Sequence, residues 1–88
     1  MRFIGFEWDA SNTEHIARHA LEPFEVEGAL LGGALVLRGR GGRYLAYGRT
    51  AAGRYLVIVL HARGGGIVRV VTARDMTERE RRFYYRSH

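Results

Sequence analysis

The chain contains no cysteine and no lysine, one proline, one tryptophan, and no apolar run longer than Tyr55 to Leu60. Each absence closes a class of function. Without cysteine there is no disulfide framework, no thiolate metal site and no cysteine nucleophile. An apolar run this short falls well below the roughly 20 residues that cross a bilayer, so no membrane partner is expected. Charges of both signs within Met1 to Asp9 argue against a secretory signal, which makes cytoplasmic residence the default expectation. Without lysine, all fourteen basic residues are arginine, so every one of these cations is a planar, permanently charged fork. A GC-rich genome also produces this bias.

At 88 residues the sequence has room for one core, and one domain over residues 1–88 is expected. A hydrophobic fraction of 47% is that of an ordinary folded chain. The net charge of +5 and the pI near 10.4 point to a polyanion or an acidic protein as partner.

Periodicity gives the order of elements. Arg2 to Trp8 alternates as a first strand. Ser11 and Glu14 have capping-box spacing, followed by Ile16, Ala17 and Ala20 on one helical face. Pro23 suits the first position of a second helix running to Leu31, which Gly32 and Gly33 terminate. Four β-rich runs follow, Ala34–Leu37, Arg43–Arg49, Tyr55–Arg63 and Ile67–Ala73, joined by short glycine-bearing turns that demand antiparallel neighbours. Leu56 to Leu60 is apolar on both faces and reads as a central strand. Thr77 and Glu80 then box the start of a terminal helix. The expectation is an α+β domain, β-α-α-β-β-β-β-α, with helices packed on an antiparallel sheet.

His61 and Arg63 lie two apart on one strand face, with Tyr55, Val57 and Val59. Arg43, Leu45, Tyr47 and Arg49 share a face of the preceding strand, and Arg69 lies on the following one. If the register unites these faces, a shallow surface carries His61, Arg49, Arg63, Arg69 and Tyr47. A one-residue slip would scatter them. Such a surface has what metal-free RNA cleavage requires: a group that moves protons near neutral pH, and cations that stabilise charge building on phosphorus. The terminal helix interleaves Arg79, Arg81, Arg82 and Arg86 with Phe83, Tyr84 and Tyr85, which suits phosphate binding and base stacking. The same residues also fit a strand-end structural histidine and a solvated arginine face with Glu78–Arg82 pairing. Tyr84 fits a core position as well as a stacking one. His15 and His19 are spaced to share a metal but have no third ligand, and no cofactor is expected.

These segments resemble the BrnT toxins, ribonuclease halves of bacterial type II toxin–antitoxin pairs. The resemblance rests on Phe6-Glu-Trp-Asp9, on Arg18-His19 followed by Pro23-Phe-Glu-Val-Glu-Gly-Ala29, and on Arg43-Tyr-Leu-Ala-Tyr-Gly-Arg49. It continues through Gly53-Arg-Tyr-Leu-Val-Ile-Val59 and Arg69-Val-Val-Thr-Ala-Arg74 to Thr77, Glu80 and Tyr84. Three positions depart from the family pattern: Arg18 replaces a lysine, Ala20 a glycine and His15 an asparagine. The resemblance implies a RelE-like fold and RNA cleavage that halts translation. It also implies a BrnA-like ribbon-helix-helix antitoxin, operator DNA contacted only through the antitoxin complex, and a homodimer within that complex. Combined with the residues, it assigns catalysis to His61, Arg63, Arg69 and Arg49, and RNA binding to Arg74, Arg79, Tyr47 and Tyr84. The alternatives are a non-catalytic nucleic-acid- or protein-binding module and a degenerate toxin that keeps only its antitoxin surface.

Overall fold

Helix starts in this chain are set by side chains that satisfy first-turn amides, and they fix where the strands must end. The structure, a computed structural model, describes residues 1–87. In chain order the elements are β1 (Gly5–Glu7), α1 (Ala10–Ala17), α2 (Pro23–Leu31), β2 (Leu35–Arg38), β3 (Arg43–Arg49), β4 (Tyr55–Gly64), β5 (Ile67–Asp75) and α3 (Glu78–Ser87). At α3 the predicted box forms: the Glu80 N–H donates to the Thr77 hydroxyl (3.2 Å) and the Thr77 N–H to the Glu80 carboxylate (2.8 Å). Pro23 takes the first position of α2, behind a box of Glu22 and Glu25.

The start of α1 differs from the sequence expectation. Its box is Asp9 with Asn12 (3.2 and 2.7 Å), two residues before the anticipated Ser11. The reason lies in Asn12, which is buried and whose Nδ2 donates to the carbonyls of Glu7 and Val70, both at 2.9 Å. That residue ties the helix to two strands, whereas Ser11 and Glu14 are exposed. The helix then ends at Ala17, and Ala20 adopts φ 55° in the turn. Of the expected apolar positions Ile16 is buried while Ala17 and Ala20 are exposed, and Leu21 joins Ile16 in the core. His19 lies beyond the helix, in the turn that follows it.

The strands form one sheet in the order β1-β5-β4-β3-β2. β2 to β5 make the antiparallel meander anticipated from the glycine turns. β1, shorter than the predicted strand, pairs with β5 in parallel, with Gly5 opposite Ile67. The sheet is thus mixed rather than wholly antiparallel. A parallel neighbour needs a long connection, and β1 is linked to the meander through both α1 and α2.

One sheet face packs against α1 and α2, burying Ile16, Val26, Leu30, Leu56, Ile58 and Leu60 among others. α2 lies directly on β3: a Cβ on Gly48 would stand 2.7 Å from the Ala29 carbonyl oxygen, so only glycine fits that approach. The opposite face is partly covered by α3 through Tyr47, Val57, Met76 and Tyr84. β4 is central and buried on both faces, as its apolar run requires. α3 covers only part of its face, and the remainder stays open.

Candidate active site

Directly opposed residues in adjacent strands share a face, with Cα atoms about 4.5–5.5 Å apart in antiparallel pairs. The register therefore sorts the α3 face into rows across the sheet. The outermost row is Arg43, His61, Arg69 and Glu7, one residue from each of β3, β4, β5 and β1. The next is Leu37, Leu45, Val59 and Thr72, and the third is Leu35, Tyr47, Val57 and Arg74. Arg49 and Tyr55 form the last. The third row lies under α3 and the fourth at its far edge, whereas the first two are open.

Arg69 and Arg74 are five apart and would point to opposite faces of a regular strand. They share a face because Val59 pairs with Thr72 and Leu60 with Val70, which leaves Val71 unpaired as a bulge. A bulge of this kind shifts the alternation by one residue. Val68, Val70 and Ala73 accordingly all reach the opposite core.

The arginines of this face differ in how they are engaged. Arg69 donates to both oxygens of Asp9 (2.8 and 3.2 Å) and reaches Glu7 at 3.4 Å, while Arg63 lies 3.4 Å from the other Glu7 oxygen. The Arg69 guanidinium holds the Asp9 carboxyl below its ordinary pKa, and Asp9 in turn raises that of Arg69. Arg74 grips Glu80 with two hydrogen bonds of 2.7 and 2.9 Å. Chiefly through that pair, Glu80 is pulled down to about 2. Burial, then the charge of Glu80, pushes the Tyr47 phenol up. Arg43 forms no ion pair among the described residues. His61 is half-buried, and its Nε2 edge rests over Gly42, where a Cβ would sit 3.4 Å away.

α3 forms a wall beside the open rows. Tyr47, Arg79, Glu80, Phe83 and Arg86 line a shallow cleft there, in which the Tyr47 and Phe83 rings meet edge-on at 5.1 Å. The open surface thus offers a histidine between two arginines, an apolar floor and a cationic rim.

Of the residues singled out in the sequence, His61, Arg63 and Arg69 come together, and Tyr47 and Arg79 line the adjoining cleft. Arg74 lies at its base, occupied by Glu80. Two placements require correction. Arg49 shares the face but is six residues along the strand from the His61 row, roughly 20 Å, and stacks on Tyr55 instead. Tyr84, on the sheet-facing side of α3, is buried at 7% exposure, so its ring is part of the packing rather than an open stacking platform. Arg43, Glu7 and Asp9 were missed as members of the site. Arg43 was legible as a same-face neighbour in β3, but only the register sets it beside His61.

No protein-family model matches the chain, and no curated protein matches it in sequence. In structure it is similar to the ribonuclease toxin BrnT of Brucella abortus, known from a crystal structure at 1.1 Å. The TM-score is 0.65, over 89% of this chain and 100% of that one, at 19% identity. The fold is BrnT-like. At this identity the likeness is one of architecture: a small α+β domain with three helices and a five-stranded mixed sheet. Among the described residues of this BrnT-like chain, no helix is long and apolar enough to cross a membrane, and no three of His, Cys, Asp and Glu gather as a metal-binding group.

Proposed function

We propose that this protein is an endoribonuclease toxin that cleaves RNA without a metal, with His61 as its proton-transfer group. The observation that carries the reading is the row Arg43–His61–Arg69 in an open trough of a BrnT-like fold. In this reading the imidazole takes the proton of a ribose 2′-hydroxyl, or gives one to the departing 5′-oxygen. Arg43 and Arg63 stabilise the pentacoordinate phosphorus. Guanidinium groups stay protonated to above about pH 12, so the arginines act through charge and not through proton transfer. Arg69, neutralised by Asp9 and Glu7, positions the row. Arg79 and the Tyr47–Phe83 cleft receive the flanking strand.

The neutralising partner under this proposal is a ribbon-helix-helix antitoxin that covers part of the basic surface, with operator DNA bound only through the complex. An acidic or extended antitoxin segment over Arg43 and Arg79 would block the trough. The engagement of Arg69 and Arg74 by carboxylates favours a second reading, a binding module in which these arginines are structural.

Purified protein incubated with long RNA in EDTA separates the two. Cleavage is expected from wild type, with a loss of about 10²–10⁴-fold in His61→Ala and a smaller loss in Arg43→Gln. Cleavage that survives His61→Ala would remove the histidine from the mechanism, and RNA bound but uncut by wild type would favour the binding module.

A further inference from the structure

On the far side of α3 from His61 lies a cluster that the proposed chemistry does not use. Its centre is Tyr55. The guanidinium carbon of Arg81 is 4.3 Å from the centroid of that ring, and that of Arg49 is 5.1 Å away. Tyr85 meets the same ring at 5.7 Å, and the hydroxyls of Tyr55 and Tyr85 are hydrogen-bonded to each other. Arg49 and Arg81 are both exposed.

Their environment differs from that of the arginines held in ion pairs. Arg54, Arg63, Arg69, Arg74 and Arg82 each face a carboxylate. Arg49 and Arg81 have none among the described residues, yet they converge on one ring and lie no further apart than their two ring distances combined. Like charges so placed repel, and a ring face at an exposed site returns only about 0.5–1 kcal/mol per cation. An anion would complete this arrangement.

Space for a ligand adjoins Arg81, and Arg49 lies at the rim of that space, its Nη2 3.4 Å from where a Cβ on Gly53 would stand. Two clefts, of ≈ 440 and ≈ 320 Å³, share Met76 and Arg81. The first has Tyr85, 58% exposed, on its wall and the buried Met76 at its floor. The acidic residues on their rims are already occupied, Glu78 by Arg82 and Asp75 by Arg54. Two fork-shaped cations beside an exposed ring and an apolar floor suit a phosphate joined to a planar base.

We infer that Arg49, Arg81 and Tyr85 form a second subsite for single-stranded RNA, holding the phosphate and stacked base of a nucleotide remote from the scissile bond. The inference rests on the RNA reading of the His61 trough. Six residues of β4 separate the two places, roughly 20 Å, and a stacked strand rises about 3.4 Å per nucleotide. A bound strand therefore needs about six nucleotides to reach both, and shorter oligonucleotides engage one place at a time.

The test is fluorescence anisotropy with 2′-O-methyl oligonucleotides, which lack the attacking hydroxyl, of roughly four and roughly twelve nucleotides. Wild type is expected to bind the longer probe much more tightly than the shorter. Arg49→Gln/Arg81→Gln should lose about tenfold in affinity for the longer probe, with a shallower salt dependence. Arg2→Gln/Arg18→Gln, which removes the same charge from exposed positions elsewhere, should change it less than about twofold. The Arg49→Lys/Arg81→Lys variant should keep most of the length advantage. The inference is overturned if wild type binds neither probe or shows no length advantage, or if the glutamine variant retains it. It is also overturned if the lysine and glutamine variants lose it equally with a lowered melting temperature, which would assign both arginines to packing. Cleavage of unmodified RNA, measured in parallel, reports on His61 separately. Loss of cleavage with the length advantage intact defeats the catalytic reading alone, and intact cleavage with no length advantage defeats the subsite alone.

Discussion

His61 owes its place to its neighbours in the row and to a glycine beneath it. Because Gly42 has φ 80° and leaves the ring 3.4 Å from where a Cβ would be, Gly42→Ala should cost about 1 kcal/mol or more in stability. It should also reduce cleavage by less than His61→Ala does, and chemical denaturation with single-turnover assays checks both. Arg69 offers a sharper test, since Asp9 and Glu7 already occupy it. Asp9→Asn preserves an N-cap oxygen for α1, and Glu7→Gln removes the second carboxylate. The double variant is expected to tighten oligonucleotide binding, with the salt slope steepened by about 0.7 for each phosphate newly engaged. An unchanged slope would show that Arg69 does not reach RNA even when freed. None of this was readable from residue types alone, because ion pairing with residues sixty positions earlier leaves no local pattern.

At the scale of elements, α3 is fastened by Glu80, which binds Arg74 and caps the helix at once. Its carboxyl is lowered from 4.5 to about 2 in the fold. A depressed acid contributes fully above the unfolded value and loses that contribution as pH falls toward the folded one. Wild type should therefore lose stability between about pH 4.5 and 2, and Glu80→Gln should be less stable at neutral pH, by about 1–3 kcal/mol, with a flatter acid profile. Urea titrations across that range decide it. α1 is fastened differently. Asn12→Ala would strip partners from the Glu7 and Val70 carbonyls and should cost about 1–3 kcal/mol. Hydrogen exchange should then rise at β1 before the meander. The Thr77 box was legible because spacing alone defines it. The Asp9 box was not, because Asn12 was chosen by tertiary contacts over the equally well-spaced Ser11 and Glu14.

Across the whole molecule the two faces of the sheet divide the labour. α1 and α2 seal one face with a contiguous apolar core, and α3 crosses part of the other, leaving a trough on one flank and the Tyr55 cluster on the opposite flank. With a net charge of +5, the logarithm of the RNA affinity under the proposed function should fall linearly with the logarithm of salt concentration. Under the proposed function, a cognate antitoxin should abolish both binding and cleavage. A partner that binds tightly but leaves cleavage intact would place its surface away from the trough.

Composition and periodicity by themselves determined the order of elements, the central position of β4, the glycine turns of the meander and the cationic character of the surface. These depend on local geometry and on which side chains water excludes. Only the tertiary structure decided the parallel pairing of β1, the bulge at Val71 that puts Arg69 and Arg74 on one face, and the separation of Arg49 from His61. Each is set by strand register, and register comes from packing between residues far apart in the chain, where no sequence period reaches.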